Sequence, residues 1–237
     1  MKSFHLISTS LMAMAALLSN GFAHAGGDDN PLLAKFMLDE FERGVESNDS
    51  TNFEAQAWVG KDLDKLWLKA EGGYKNSDEK ALELQALYSR AITAFWDAQI
   101  GLRVETEPSP SRKWAVLGLQ GLAPYHFDID AALFIGEKGR TAVRLNADYD
   151  LLITQKLILS PEVEMNFYGK NDAELGIGSG LADVSTALRL RYEIIREFAP
   201  YIGIERSQKF GKTSDFASNA GVKTNETQVV VGLRLWF

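Results

Sequence analysis

Cysteine is absent from all 237 residues. That single absence excludes disulfides, thiolate nucleophiles and thiolate metal sites. Histidine is almost as scarce. His5 and His24 fall in the N-terminal stretch, so His126 is the one histidine of the expected mature chain. Hydrolases of the Ser-His type need an imidazole beside a nucleophile, and no serine stands close to His126, so an enzyme is not expected. Beyond the first residues no apolar run approaches the length of a membrane-spanning helix, roughly 18 residues or more. Positive charge is in deficit too. The formal net charge is -7, and it becomes more negative once Lys2 is removed with the leader, which argues against nucleic acid as a partner.

The N-terminus carries export features. Lys2 supplies a positive start, Leu11 to Leu18 (LMAMAALL) form a short apolar stretch, and Ala23-His24-Ala25 is a small-x-small cleavage signal. The expected organisation is therefore a cleaved signal peptide at 1–25, a short periplasmic segment at 26–36, and one folded unit at 37–237.

In that unit the dominant period is two. In RTAVRLNADYDLL, from Arg140, the residues Thr141, Val143, Leu145, Ala147, Tyr149 and Leu151 share one face. Arg140, Arg144, Asn146, Asp148 and Asp150 occupy the other. FWDAQIGLRVE, from Phe95, alternates in the same way. Any half-buried sheet alternates. Here, however, the polar faces carry both signs of charge in strand after strand, and the strands are long. Strands of about 9 to 11 residues suit a tilted bilayer crossing, where a sheet must close on itself to satisfy its backbone. Candidate strands fall at 37–47, 52–60, 65–74, 80–90, 95–106, 112–121, 126–136, 140–151, 156–168, 183–195, 200–208 and 227–237. The expectation is an all-β, membrane-spanning antiparallel barrel of about twelve strands, apolar outside and polar inside.

The connections divide into two classes, with ESNDS and EKG as short exceptions among the outer ones. GKDLD, RAITA, LAPY, LITQ and EFAP are short, whereas YGKNDAELGIGSGLA and QKFGKTSDFASNAGVKTNE are long and rich in Gly, Ser, Asn and Asp. Short periplasmic turns opposite longer external loops imply periplasmic termini. Tyr88, Trp96, Phe127, Tyr149, Tyr192 and Phe237 then cluster on the apolar parity near the periplasmic rim, as an interfacial girdle would. The chain stops on VVVGLRLWF, an alternating strand whose terminal Phe237 is similar to the C-terminal signal read by the barrel assembly machinery. Outer-membrane lipid is the expected surrounding, in a Gram-negative bacterium.

Several blocks resemble the copper resistance protein B family: LDKLWLKAEG at 63–72, LYSRAITAFWD at 87–97, GLQGLAPY at 118–125, LRLRYEIIREFAPYIG at 188–203 and the closing GLRLWF. The resemblance runs from about Asp39 to the end. It implies an outer-membrane role in copper resistance and homeostasis, with copper ions moved or bound and periplasmic copper-handling proteins as possible partners. Members often carry a Met- and His-rich segment ahead of the barrel. Here that stretch reads GGDDNPLLAKFM, with no histidine and one methionine. Cu(I) favours sulfur donors, and Cu(II) favours imidazole and other nitrogen or oxygen donors. Met37 before the first strand, His126 at the APY turn and Met165 on an apolar parity are the scattered candidates for copper.

The inward-facing charges are the main functional candidates. They include Asp97, Arg103, Glu105, Asp128, Asp130, Arg144, Asp148, Glu162, Glu164, Arg189, Arg191, Glu193 and Arg234. Two readings stand side by side: a charged lumen that selects ions, or a salt-bridged interior that holds a narrow barrel in shape. Asp128/Asp130 and Glu162/Glu164 each present two carboxylates to one space, unless nearby cations neutralise them. A narrow general porin, or a structural barrel without copper specificity, is the alternative function.

Overall fold

Each strand hydrogen-bonds antiparallel to the next, and the last returns to the first. The computed structural model describes residues 30–45, 50–75, 79–107 and 111–237. The leader at 1–25, part of the segment at 26–36 and three strand connections lie outside the described residues. The wall runs through β1 (Leu33–Gly44), β2 (Ser50–Gly60), β3 (Asp64–Lys75), β4 (Glu79–Ala91), β5 (Trp96–Glu107) and β6 (Arg112–Ala123). It continues through β7 (Phe127–Gly136), β8 (Thr141–Asp148), β9 (Leu151–Leu152), β10 (Leu157–Tyr168), β11 (Gly180–Tyr192), β12 (Phe198–Lys209) and β13 (Asn225–Trp236). β8 and β9 are consecutive pieces of one strand against β10, so the wall has twelve staves. β13 pairs with β1 from Met37↔Trp236 to Gly44↔Val230. Phe36 and Phe237 extend that seam, each N–H donating to the other's carbonyl at 3.0 and 2.9 Å. Closure leaves no edge of unpaired backbone groups.

The alternation read in sequence becomes inside against outside. On β5 the outward Ile100 and Leu102 are 55% and 64% exposed, while the inward Gln99 and Arg103 are each 5% exposed. The core of this protein is therefore the bore, and its outer surface is apolar. The bore is less uniformly polar than the charge pattern predicts. Met37, Trp67, Leu87, Trp114, Val116, Phe134 and Ala142 form a buried cluster within it. The Trp114 ring lies so close over Gly136 that a Cβ there would sit 2.6 Å from it. A narrow barrel is filled by its own side chains, and aromatics fill space more completely than charged groups do.

Two differences from the sequence pattern stand out. β1 begins at Leu33, so four residues expected in the leading segment belong to the wall. In addition, the connection from β12 to β13, read in sequence only as a long loop, contains a helix, α1 (Gly211–Asn219). Its end is a Schellman closure. Gly221 takes φ +70°, and the N–H groups of Gly221 and Val222 donate to the carbonyls of Ser218 and Ala217. Thr213 of α1 accepts a hydrogen bond at 2.8 Å from the Gly178 N–H, joining the helix to the connection between β10 and β11. The two longest connections thus brace each other at the rim opposite the termini. The five short turns lie at the terminal rim.

Candidate functional site

Among the described residues the bore contains a large space. A cavity of about 710 Å³ occupies the half nearer α1, and it reaches Ser50, Lys170, Asp172 and Glu226 at the far rim. Eleven carboxylates and six cationic side chains line it, an excess of negative charge. A smaller chamber of about 70 Å³ lies towards the termini, bordered by Lys69, Gln85, Gln99 and Asp130. Glu54, Glu71, Glu83, Arg144 and Glu164 line both spaces and so form the partition between them.

Arg144 is the centre of the partition. It projects from β8 to Glu71 on β3 at 2.9 Å and Glu83 on β4 at 3.1 Å, strands that do not neighbour its own. Glu164 on β10 lies at 4.0 Å, and Asn166 accepts from its Nε at 3.3 Å. Arg103 on β5 reaches the same Glu83 at 2.7 Å and also pairs with Glu105. Its guanidinium stacks 4.3 Å from the centre of the Phe134 ring, an arrangement suited to a planar, weakly hydrated cation.

A second hub stands beside it. Arg189 on β11 pairs with Glu40 at 2.7 Å, Glu42 at 3.2 Å and Glu162. Tyr201 donates its hydroxyl to Glu42 at 3.2 Å. To get there its ring crosses Gly232, where a Cβ would lie 2.5 Å from the ring carbon bearing the hydroxyl. Strict alternation would put Asp39 and Glu40 on opposite faces, yet both point inwards. The register of β1 slips between Leu38 and Glu40, and such a bulge re-aims side chains. Asp39 thereby meets Gln56 and, at 3.2 Å, Arg234.

Towards the terminal rim the pairing continues. Lys69 crosses from β3 to Asp130 on β7 at 2.6 Å, Lys65 meets Asp97 at 3.3 Å, and Arg191 meets Asp150 at 2.7 Å. Asp128 faces Asp148 directly across the β7–β8 pair. Glu193 lies in the turn after β11 and pairs with Arg196 at 3.3 Å. Neither two-carboxylate set stays together as a unit. Asp130 is held by Lys69 and Glu162 by Arg189, while Glu164 accepts from Asn166 at 2.8 Å. At the far rim Arg112 and Arg140 converge on Asp172 at 3.6 and 3.0 Å, pinning the β10–β11 connection over the mouth.

A bore lined by paired charges inside an apolar exterior can be set beside known proteins. The model of the family described as copper resistance protein B precursor matches residues 32–237. This chain belongs to the copper resistance protein B family. The copper resistance protein B homolog of Pseudomonas syringae pv. tomato is 42% identical over 218 residues, covering 91% of this chain and 74% of that protein. The copper resistance protein B of Escherichia coli is 43% identical over 204 residues, covering 85% and 68% respectively. Among solved structures the NanC porin superposes with a TM-score of 0.56 at 12% identity, over 86% of this chain and 99% of that one. That likeness shows the fold, an outer-membrane-type barrel.

For a copper resistance protein B family member, the sulfur and imidazole donors are placed unexpectedly. Met37 lies within β1, not before it, and is 7% exposed inside the bore. The expectation of a methionine ahead of the wall does not hold. Met165 lies on the outward face, opposite Leu145 and Val184, so the wall separates it from Met37. His126 is exposed in the terminal-rim turn. The three are not brought together. Among the described residues no group of three or more His, Asp or Glu side chains is arranged to hold a metal ion. The sequence pattern missed Asp39, Glu40, Glu42, Glu54 and Tyr201. Alternation on β2 could have found Glu54, but nothing in the sequence marks the β1 bulge.

Proposed function

We propose that this barrel sits in the outer membrane of a Gram-negative bacterium, with periplasmic termini, and admits copper ions into its acidic lumen as part of copper resistance. The observation that carries the reading is the carboxylate-rich cavity, reaching the far rim, in a copper resistance protein B family barrel. A cavity with an excess of one sign of charge within low-dielectric walls concentrates counter-ions. Most of its carboxylates are already engaged by arginine, which favours transient residence over tight storage. Periplasmic copper-handling proteins are the natural partners at the terminal rim, and the assembly machinery is the partner during insertion. The reading is non-catalytic and leaves His126 as an exposed residue of that rim.

The ion pairs that cross the bore favour a second reading, a structural barrel closed to solutes. Copper content and copper tolerance, measured in cells with and without the gene, separate the two, alongside conductance of the purified barrel. The copper reading expects both cellular quantities to change on deletion. Unchanged copper with free passage of small solutes would make it a porin, and unchanged copper with no passage a structural barrel. Phospholipid or peptide hydrolysis abolished by His126→Ala would make it an enzyme.

A further inference from the structure

The partition between the two chambers lies where charged side chains meet across the bore, and Arg144 is the cation at its centre. Arg144 is the single positive charge among the five residues shared by the chambers, against Glu54, Glu71, Glu83 and Glu164. Its partners come from β3, β4 and β10 while it comes from β8, so the guanidinium spans the bore. No backbone has to move for the span to break. Rotation of one arginine side chain suffices, and it would leave Glu54, Glu71 and Glu164 facing the gap, with Glu83 still paired to Arg103 at 2.7 Å.

We infer that Arg144 is a displaceable gate between the outer cavity and the inner chamber, opened when a cation entering the cavity competes for Glu71, Glu83 and Glu164. This rests on the proposed passage of cations through the lumen and adds the residue that controls it. The chemistry fits the partners. The Glu71 side chain is 48% exposed to the cavity, so an entering cation meets it before the less exposed Arg144 (18%) and Glu83 (11%). A cation at the same carboxylates replaces the charge that Arg144 supplies, so the exchange strands no buried carboxylate. Arg103 is less suited to the role, because it is buried and stacked on Phe134. Once open, the gap would favour cations over anions, because the remaining fixed charge there is negative.

The cysteine-free chain allows a direct test. Ala132 borders the inner chamber and not the outer cavity, so an Ala132→Cys variant reports on the gate. In the purified, membrane-inserted barrel this thiol is labelled with a methanethiosulfonate bearing either a trimethylammonium or a sulfonate group. The expected result is slow labelling with Arg144 in place. Adding Arg144→Gln should speed the cationic reagent roughly tenfold or more, a barrier lowered by about 1.4 kcal/mol, and the sulfonate reagent less. Glu71→Gln, which removes one partner and leaves the arginine, should give a smaller acceleration in the same direction. If Arg144→Gln fails to insert, the Glu71→Gln rate decides. Equal labelling rates with and without these changes, or faster entry of the sulfonate, overturns the gate. The assay contains no copper, so a failed gate leaves the copper reading standing, and an unchanged copper phenotype leaves the gate standing.

Discussion

Replacing Arg189 with glutamine should be among the most damaging single changes inside the bore. The guanidinium lies 2.7 Å from Glu40 and 3.2 Å from Glu42 and also pairs with Glu162, while the Glu42 side chain is only 2% exposed. Removing the cation leaves three carboxylates together, one of them almost fully withdrawn from water. Breaking a buried pair by deleting one partner costs about 3–5 kcal/mol, mostly from the stranded charge. Arg90 gives the comparison: its pair with Asp64 at 3.6 Å is 60% and 46% exposed, and such surface pairs contribute about 0–1 kcal/mol. Urea unfolding from lipid vesicles, followed by the fluorescence of the five tryptophans, measures both. The expected order is a large loss for Arg189→Gln and a small one for Arg90→Gln. Adding Glu42→Gln to Arg189→Gln should recover part of the loss by neutralising the most buried orphan. Equal, small effects at the two arginines would refute the argument, because the Arg189 carboxylates would then have to be solvated through the cavity.

Two further outcomes are expected. Tyr125 and His126 both hold φ +67° in the turn between β6 and β7, a conformation costing L-residues roughly 1–2 kcal/mol each. Tyr125→Asn with His126→Gly should therefore stabilise the barrel by about 1 kcal/mol or more, read as a higher urea midpoint; a lower midpoint would show that the two side chains hold the turn by contacts of their own. Deleting Phe237 should lower the amount of inserted barrel, since it removes the residue that exchanges two backbone hydrogen bonds with Phe36 across the seam. Phe237→Ala keeps those bonds and loses the ring, so a normal level of this variant assigns the defect to the seam and a reduced level assigns it to the aromatic signal; normal levels of both variants would sink the idea.

Much of this molecule was legible in its sequence, because a strand's side-chain period is two and does not depend on what surrounds it. Alternation alone assigns Arg103, Glu105, Arg144, Glu162, Glu164 and Arg189 to the interior, and the twelve strands with their two classes of connection follow from the same pattern. Three things depended on tertiary structure. The β1 bulge turns Asp39 and Glu40 to the same side, and it leaves no mark in composition because it exists only against β2 and β13. The helix α1 arises in a stretch of Gly, Ser, Asn and Lys whose local signals read as loop. Its Thr213 bond to Gly178, 35 residues away, is a contact only the folded rim supplies. Partner choice is the third. Lys69 meets Asp130 across 61 residues, and Arg189 meets Glu42 across 147. Outside the β1 bulge, the sequence by itself decided which charges face the lumen, since that is local stereochemistry. Which of them neutralise one another, and so where the acidic cavity and its partition lie, was decided only when closing the wall brought distant strands across one narrow bore.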